Sequence, residues 1–180
     1  LFGLAKNSFV SAFSTNASRE TTSTSLQWGA VSRKLKKSIM LFNTTYKNID
    51  YSKESDLLVG PPFSFFNKIK MRGVGSSRLI IEELSAQLQA KNSRSNAISY
   101  ANIELRDKGV IVHFGNKLDR YSWIVPYYRL VTYSNKRFSI HSNGHFIKFK
   151  KNRNYRNNKK FIAKMMDMKI SHLKLGYYDV

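Results

Sequence analysis

Phe138-Ser139-Ile140-His141-Ser142-Asn143-Gly144-His145-Phe146-Ile147-Lys148-Phe149 is the stretch that decides the fold. Asn143-Gly144 suits a two-residue type I′ turn, which needs positive φ at both central positions. With that turn Ser142 faces His145, Ile140 faces Ile147 and Phe138 faces Phe149, so both apolar pairs share one face. His141 with Phe146, Ser139 with Lys148 and Arg137 with Lys150 take the other face. A one-residue slip would mix the faces, so the register checks itself. Upstream, Arg106-Asp107-Lys108-Gly109 makes a loop that sets Leu105 against Val110, Ile103 against Val112 and Ala101 against Phe114. Pro126 cannot donate to a ladder, so Tyr121–Val125 and Tyr127–Tyr133 read as one strand bent at that residue. Phe161 to Leu175 reads as a helix, with Phe161, Ile162, Met165, Met166, Ile170 and Leu173 on its apolar side and Gly176 after its end.

The expected fold is therefore α+β: a half-open antiparallel β-barrel or sheet from Ser99 to Leu175, closed by a C-terminal helix and preceded by a helical N-terminal arm. The hairpin around Ile103-Glu104-Leu105-Arg106-Asp107-Lys108-Gly109-Val110-Ile111-Val112, then Trp123-Ile124-Val125-Pro126-Tyr127, the Asn-Gly hairpin and the closing helix resemble the bacterial pleckstrin-homology-like (PH-like) domains. The resemblance covers about residues 99–175. It implies a binding or scaffolding role without shared catalysis, and no phosphoinositide headgroup motif comes with it.

Three segments are expected: a tail at 1–25, a helical arm with Gly and Pro loops at 26–98, and the β domain at 99–180. Leu1–Ser25 is rich in Ser, Thr and Asn, with Glu20 its only acid. It reads as a flexible tail, and its composition is also that of an organelle presequence. Leu26–Asn43 reads as a helix with Val31, Leu35, Ile39 and Phe42 on one side. Its cations Arg33, Lys34, Lys36 and Lys37 make either a solvated face or a surface for membrane or RNA. Thr44–Asn67 reads as irregular, broken by Gly60-Pro61-Pro62, with Phe63, Phe65 and Phe66 plugging a core edge or else stacking on bases. Lys68–Arg72 alternates like a strand, and Leu79–Ala90 reads as a helix striped by Ile80, Leu84 and Leu88. The junction between them, with Gly73, Gly75, Arg72 and Arg78, has the parts of an anion site at a helix start, though no complete phosphate-loop motif. Lys91–Asn96 reads as a linker.

The charge is the strongest functional signal. The chain of 180 residues carries 31 Lys and Arg against 11 Asp and Glu, a formal +20, far beyond what solubility needs. Such a field selects polyanionic partners. Its densest run is Lys148, Lys150, Lys151, Arg153, Arg156, Lys159 and Lys160, interleaved with Asn and Tyr155, and no acid occurs between Asp119 and Asp167. Phosphate contact with interleaved stacking suits that mixture. The leading expectation is a non-catalytic protein that contacts RNA phosphates inside a ribonucleoprotein, through this run, with Arg33, Lys34, Lys36, Lys37, Arg72 and Arg78 as further contacts. The alternatives are a peripheral binder of anionic membranes and a structural subunit docked on an acidic protein partner. The expected compartment is the cytoplasm, or an organelle matrix if the first 25 residues are a presequence.

Catalytic chemistry finds little support. There are no cysteines, and no apolar run approaches the ~20 residues that span a bilayer. His141 and His145 fall on opposite faces of their hairpin, and no other histidine spacing suggests converging metal ligands. Glu82-Glu83 and Glu104/Asp107 are acid pairs without a catalytic setting, and no nucleophile elbow marks a serine. No enzyme activity, cofactor, metal or small-molecule substrate is expected.

Overall fold

The structure is a computed structural model that describes residues 40–89, 99–116 and 119–174. Asn143 and Gly144 take φ of 51° and 78°, the left-handed pair that the hairpin turn requires. β7 (Phe138–Ser142) and β8 (His145–Phe149) pair in the expected register, Phe138 with Phe149 and Ile140 with Ile147. β3 (Tyr100–Leu105) and β4 (Gly109–Asn116) likewise set Leu105 against Val110 and Ala101 against Phe114. β5 (Asp119–Pro126) adds Trp123 opposite Val112. Pro126 ends that strand, and a 3-10 turn at Tyr127–Arg129 leads into β6 (Val131–Ser134).

Eight strands form one antiparallel sheet in the order β1-β5-β4-β3-β2-β8-β7-β6, with β1 at Leu41–Asn43 and β2 at Leu79–Leu84. β1 and β6 remain its edges, so the sheet is not closed into a barrel. β2 joins the halves: Leu79 and Ile80 pair with β3, and Ile81 to Leu84 pair with β8 across a bulge between Ile81 and Glu83. Ile103, Val112 and Trp123 from one half, and Phe138, Ile140 and Phe149 from the other, share a single buried core. α3 (Arg153–Asn157), capped by the Asn152 side chain, leads into α4 (Lys159–Leu173), whose Phe161 and Met165 complete that core. Lys174, at φ 50°, closes α4, while the expected C′ residue Gly176 lies outside the described residues.

The opposite face of β4 and β5 is covered by α1 (Ile49–Val59), with Val59, Ile111 and Ile124 buried together and Phe42 and Tyr51 packed against them. Gly109 permits this approach: a Cβ there would lie 2.6 Å from Val59 Cγ1 and 2.5 Å from the Val125 carbonyl oxygen.

Five expectations need correction. Tyr121–Tyr133 is not one bent strand, because β5 and β6 are separated by the 3-10 turn and take distant places in the sheet order. Leu79–Leu84 is a strand, followed by a turn, and not the start of a helix. Its bulge lets Leu79, Ile81 and Leu84 all pack on the core and so breaks the strand's alternation. The i, i+4 spacing of Ile80, Leu84 and Leu88 imitates a helix, although Leu88 lies in the turn beyond the strand. Phe65–Lys70 is a helix, α2, with Ser64 capping the Asn67 N–H; the alternation at 68–72 is too short to specify a strand. Leu41–Asn43 is an edge strand on β5, whereas 26–39 of the expected first helix, its cations included, lies outside the described residues. The stretch 44–67, read as irregular, contains α1. The tail at 1–25 and the linker at 91–96 also lie outside the described residues. Among the described residues no helix is long and apolar enough to cross a membrane.

Candidate nucleic-acid interface

The segment from Met71 to Ile80 runs alongside the segment from Lys150 to Lys164, held by side-chain and backbone hydrogen bonds. Lys150 N–H donates to the Ile80 carbonyl at 3.0 Å. Farther along, the Asn158 side chain accepts from Ser77 N–H at 2.8 Å and donates to the Ser77 carbonyl at 3.2 Å. Its amide thus pairs with Ser77 as a neighbouring strand would, and it also donates to the Asn154 carbonyl at 2.8 Å. Asn158 is 2% exposed while Ser77 is exposed, so the bonds between them are part-buried. At the far end Lys164 Nζ donates to the carbonyls of Met71 and Gly73, the second at 2.9 Å.

Both segments lack acids. No Asp or Glu occurs from Leu57 to Ile81 or from Arg120 to Met166. The clasp at Asn158 therefore joins two acid-free runs that are 81 residues apart in sequence. Arg72 and Arg78 on the first, and Lys150, Arg153, Arg156, Lys159 and Lys160 on the second, are exposed. Among the described residues none of these seven forms an ion pair with a carboxylate. Arg78 lies over the Tyr100 ring, 6.0 Å from its centroid.

Other expected members of the site have partners inside the chain or lie outside the described residues. Lys148 pairs with Glu83 at 2.8 Å and sits over the Phe146 ring. Lys151 donates to the carbonyls of Ser134 and Asn135 and so braces the turn between β6 and β7. Tyr155, read as a stacking residue, is 8% exposed, with its ring 5.6 Å from Phe138 and its hydroxyl bonded to Ser134. The anion site at a helix start is absent, because a strand follows the glycine turn and Ser76 and Ser77 N–H already donate to Ile103 O and Asn158 Oδ1. Arg33, Lys34, Lys36 and Lys37 lie outside the described residues.

Sequence reading also missed three features. Phe65 and Phe66 do not plug the core; they are 71% and 81% exposed, and only Phe63 packs against the interior. Lys164 acts as a clip on backbone carbonyls, which no charge count could reveal. The third feature is a polar row across β3, β4 and β5. His113 Nδ1 lies 2.8 Å from Ser122 Oγ, and its Nε2 lies 3.2 Å from Glu104 Oε2. Ser-His-Glu rows suggest acyl chemistry, but Ser122 is 0% exposed and its hydroxyl also bonds Thr44 Oγ1 at 2.9 Å, so no acyl group can approach it.

The row is a structural network under α1. Arg106 Nε lies 2.9 Å from Glu104 Oε1, an ion contact without an aligned N–H, and its Nη1 donates to the Gly60 carbonyl at 3.3 Å. Burial alone would raise the Glu104 carboxyl, but the His113 hydrogen bond and the Arg106 charge outweigh it and hold the group below its ordinary value. Burial, and then the charge of Glu104, push the Tyr51 hydroxyl up.

Comparison with known proteins adds no relative: no family model, curated protein or solved structure matches the chain.

Proposed function

We propose that the chain is a non-catalytic RNA-binding protein that tracks phosphates along the paired segments 71–80 and 150–164, as a component of a ribonucleoprotein. The observation that carries this reading is the Asn158–Ser77 clasp, which sets two acid-free runs side by side. Their exposed cations have no carboxylates to neutralise them among the described residues, so a polyanion is the complementary surface. Mixed Arg and Lys on a fixed backbone suits phosphate contact, which positions a nucleic acid and carries little sequence information. A pleckstrin-like scaffold for residues 99–175 belongs to the same proposal. It draws support from the core shared by both half-sheets and α4. The compartment proposed is the cytoplasm or an organelle matrix.

The test is RNA affinity against salt, measured with the full chain. Six contacted phosphates on a single strand give a log–log slope of roughly −4. Changing Arg153, Arg156, Lys159 and Lys160 together to Ala should weaken binding and flatten that slope by about 3, with the thermal midpoint unchanged. Equal affinity and slope in the variant would remove the segment 150–164 as the site. A parent chain that binds no RNA at low salt would remove the class.

A further inference from the structure

Helix α2 ends where the cationic track ends. Phe65, Phe66 and Ile69 are all exposed, and none of the six residues of α2 is buried. At 3.6 residues per turn the three side chains share an arc of about 100°, with Lys68 and Lys70 on its flanks. Adjacent large apolar side chains held in water mark a contact surface. The Lys164 clip on Met71 and Gly73 fastens the end of α2 to α4, and Lys160 lies one helical turn from that clip. The aromatic tip is thus continuous with the cations, and no acid interrupts the passage.

We propose that Phe65 and Phe66 form a base-stacking platform at the α2 end of the track, and that the RNA held there is single-stranded. This rests on the RNA reading above. The rings are 6.0 Å apart and inclined at 74°, so they offer two separate faces, one to each of two unstacked bases. Single strands expose base faces to aromatic side chains while their phosphates follow a basic groove. A duplex keeps its bases stacked and offers the platform nothing. The lysines on either side of the arc suit the phosphates that flank a stacked base.

The experiment compares the full chain with its F65A/F66A variant on two probes: an oligouridine of about 12 nucleotides, in the range stacking proteins span, and an RNA duplex with as many phosphates. Single-strand affinity should fall by about 10-fold or more, as expected from losing one or more stacking contacts. Duplex affinity and both salt slopes should stay as in the parent, because no cation is removed. F65W/F66W should restore single-strand binding. Unchanged single-strand affinity, or an equal loss on both probes, overturns the platform and leaves the RNA reading standing. Failure of the parent to bind either probe at low salt overturns the RNA reading itself. Flotation with phosphatidylserine vesicles that the double variant loses, without any change in RNA affinity, overturns the platform and assigns α2 to a lipid surface.

Discussion

Charged side chains gather in two places, and the two places treat charge in opposite ways. Under α1, Glu104, Arg106 and His113 meet within hydrogen-bonding distance and are half-buried or buried. Along the paired segments 71–80 and 150–164, exposed cations stand without carboxylate partners among the described residues. A buried charge must be compensated inside the fold. An exposed charge is solvated and contributes little to stability. The first place should therefore govern folding and leave RNA binding untouched, and the second should do the reverse.

Arg106→Met offers the largest test. The Arg106 residue is 7% exposed, and its guanidinium contacts Glu104 and donates to the Gly60 carbonyl, so its loss leaves the Glu104 carboxylate with only His113 beside it. Denaturant unfolding should show about 3 kcal/mol of lost stability, while RNA affinity measured well below the unfolding transition should match the parent. A fall in RNA affinity without loss of stability would reverse the comparison.

Asn158→Ala sharpens it, because that residue belongs to both accounts. It is buried, yet what it holds together is the exposed track. Its loss strips Ser77 N–H and the Ser77 carbonyl of their side-chain partner, while the Asn154 carbonyl keeps the backbone N–H of residue 158, at a cost of about 1–2 kcal/mol. RNA affinity should also drop, although no charge has been removed, since the clasp no longer holds the two cationic runs in alignment. A stability loss with unchanged affinity would show that the two runs bind independently of their alignment.

The same contrast explains what could be read in advance. The hairpins were legible because Asn143-Gly144 permits one register and the apolar pairs on β3, β4, β7 and β8 agree with it. β2 was not, because its partners β3 and β8 follow it in sequence and its bulge disguises the alternation. The exposed cations from Arg153 to Lys160 were legible as an acid-free run. Their alignment with Arg72 and Arg78 was not, since it depends on one asparagine amide meeting a backbone 81 residues away. Lys148 and Lys151 had the same local sequence character as Arg153. Only the position of Glu83 across β8, and of the carbonyls of Ser134 and Asn135, tells them apart.

The smallest effect is expected from acid. The Glu104 carboxyl is held below its ordinary value of 4.5 in the folded chain by His113 and Arg106, against the opposing effect of burial. A depressed folded value means that the unfolded chain takes up this proton first as the pH falls. The stabilisation from Glu104 is thus fully present above about pH 4.5 and is lost as the pH drops through the folded value. Glu104→Gln cannot take up that proton, so its unfolding free energy should decline less steeply than the parent's below pH 4.5. Parallel acid limbs in the two proteins would mean that the network under α1 does not hold this carboxylate in its charged form. The RNA affinity of Glu104→Gln at neutral pH should equal the parent's, because Glu104 belongs to the half-buried network and the proposed RNA contacts are exposed cations on other segments.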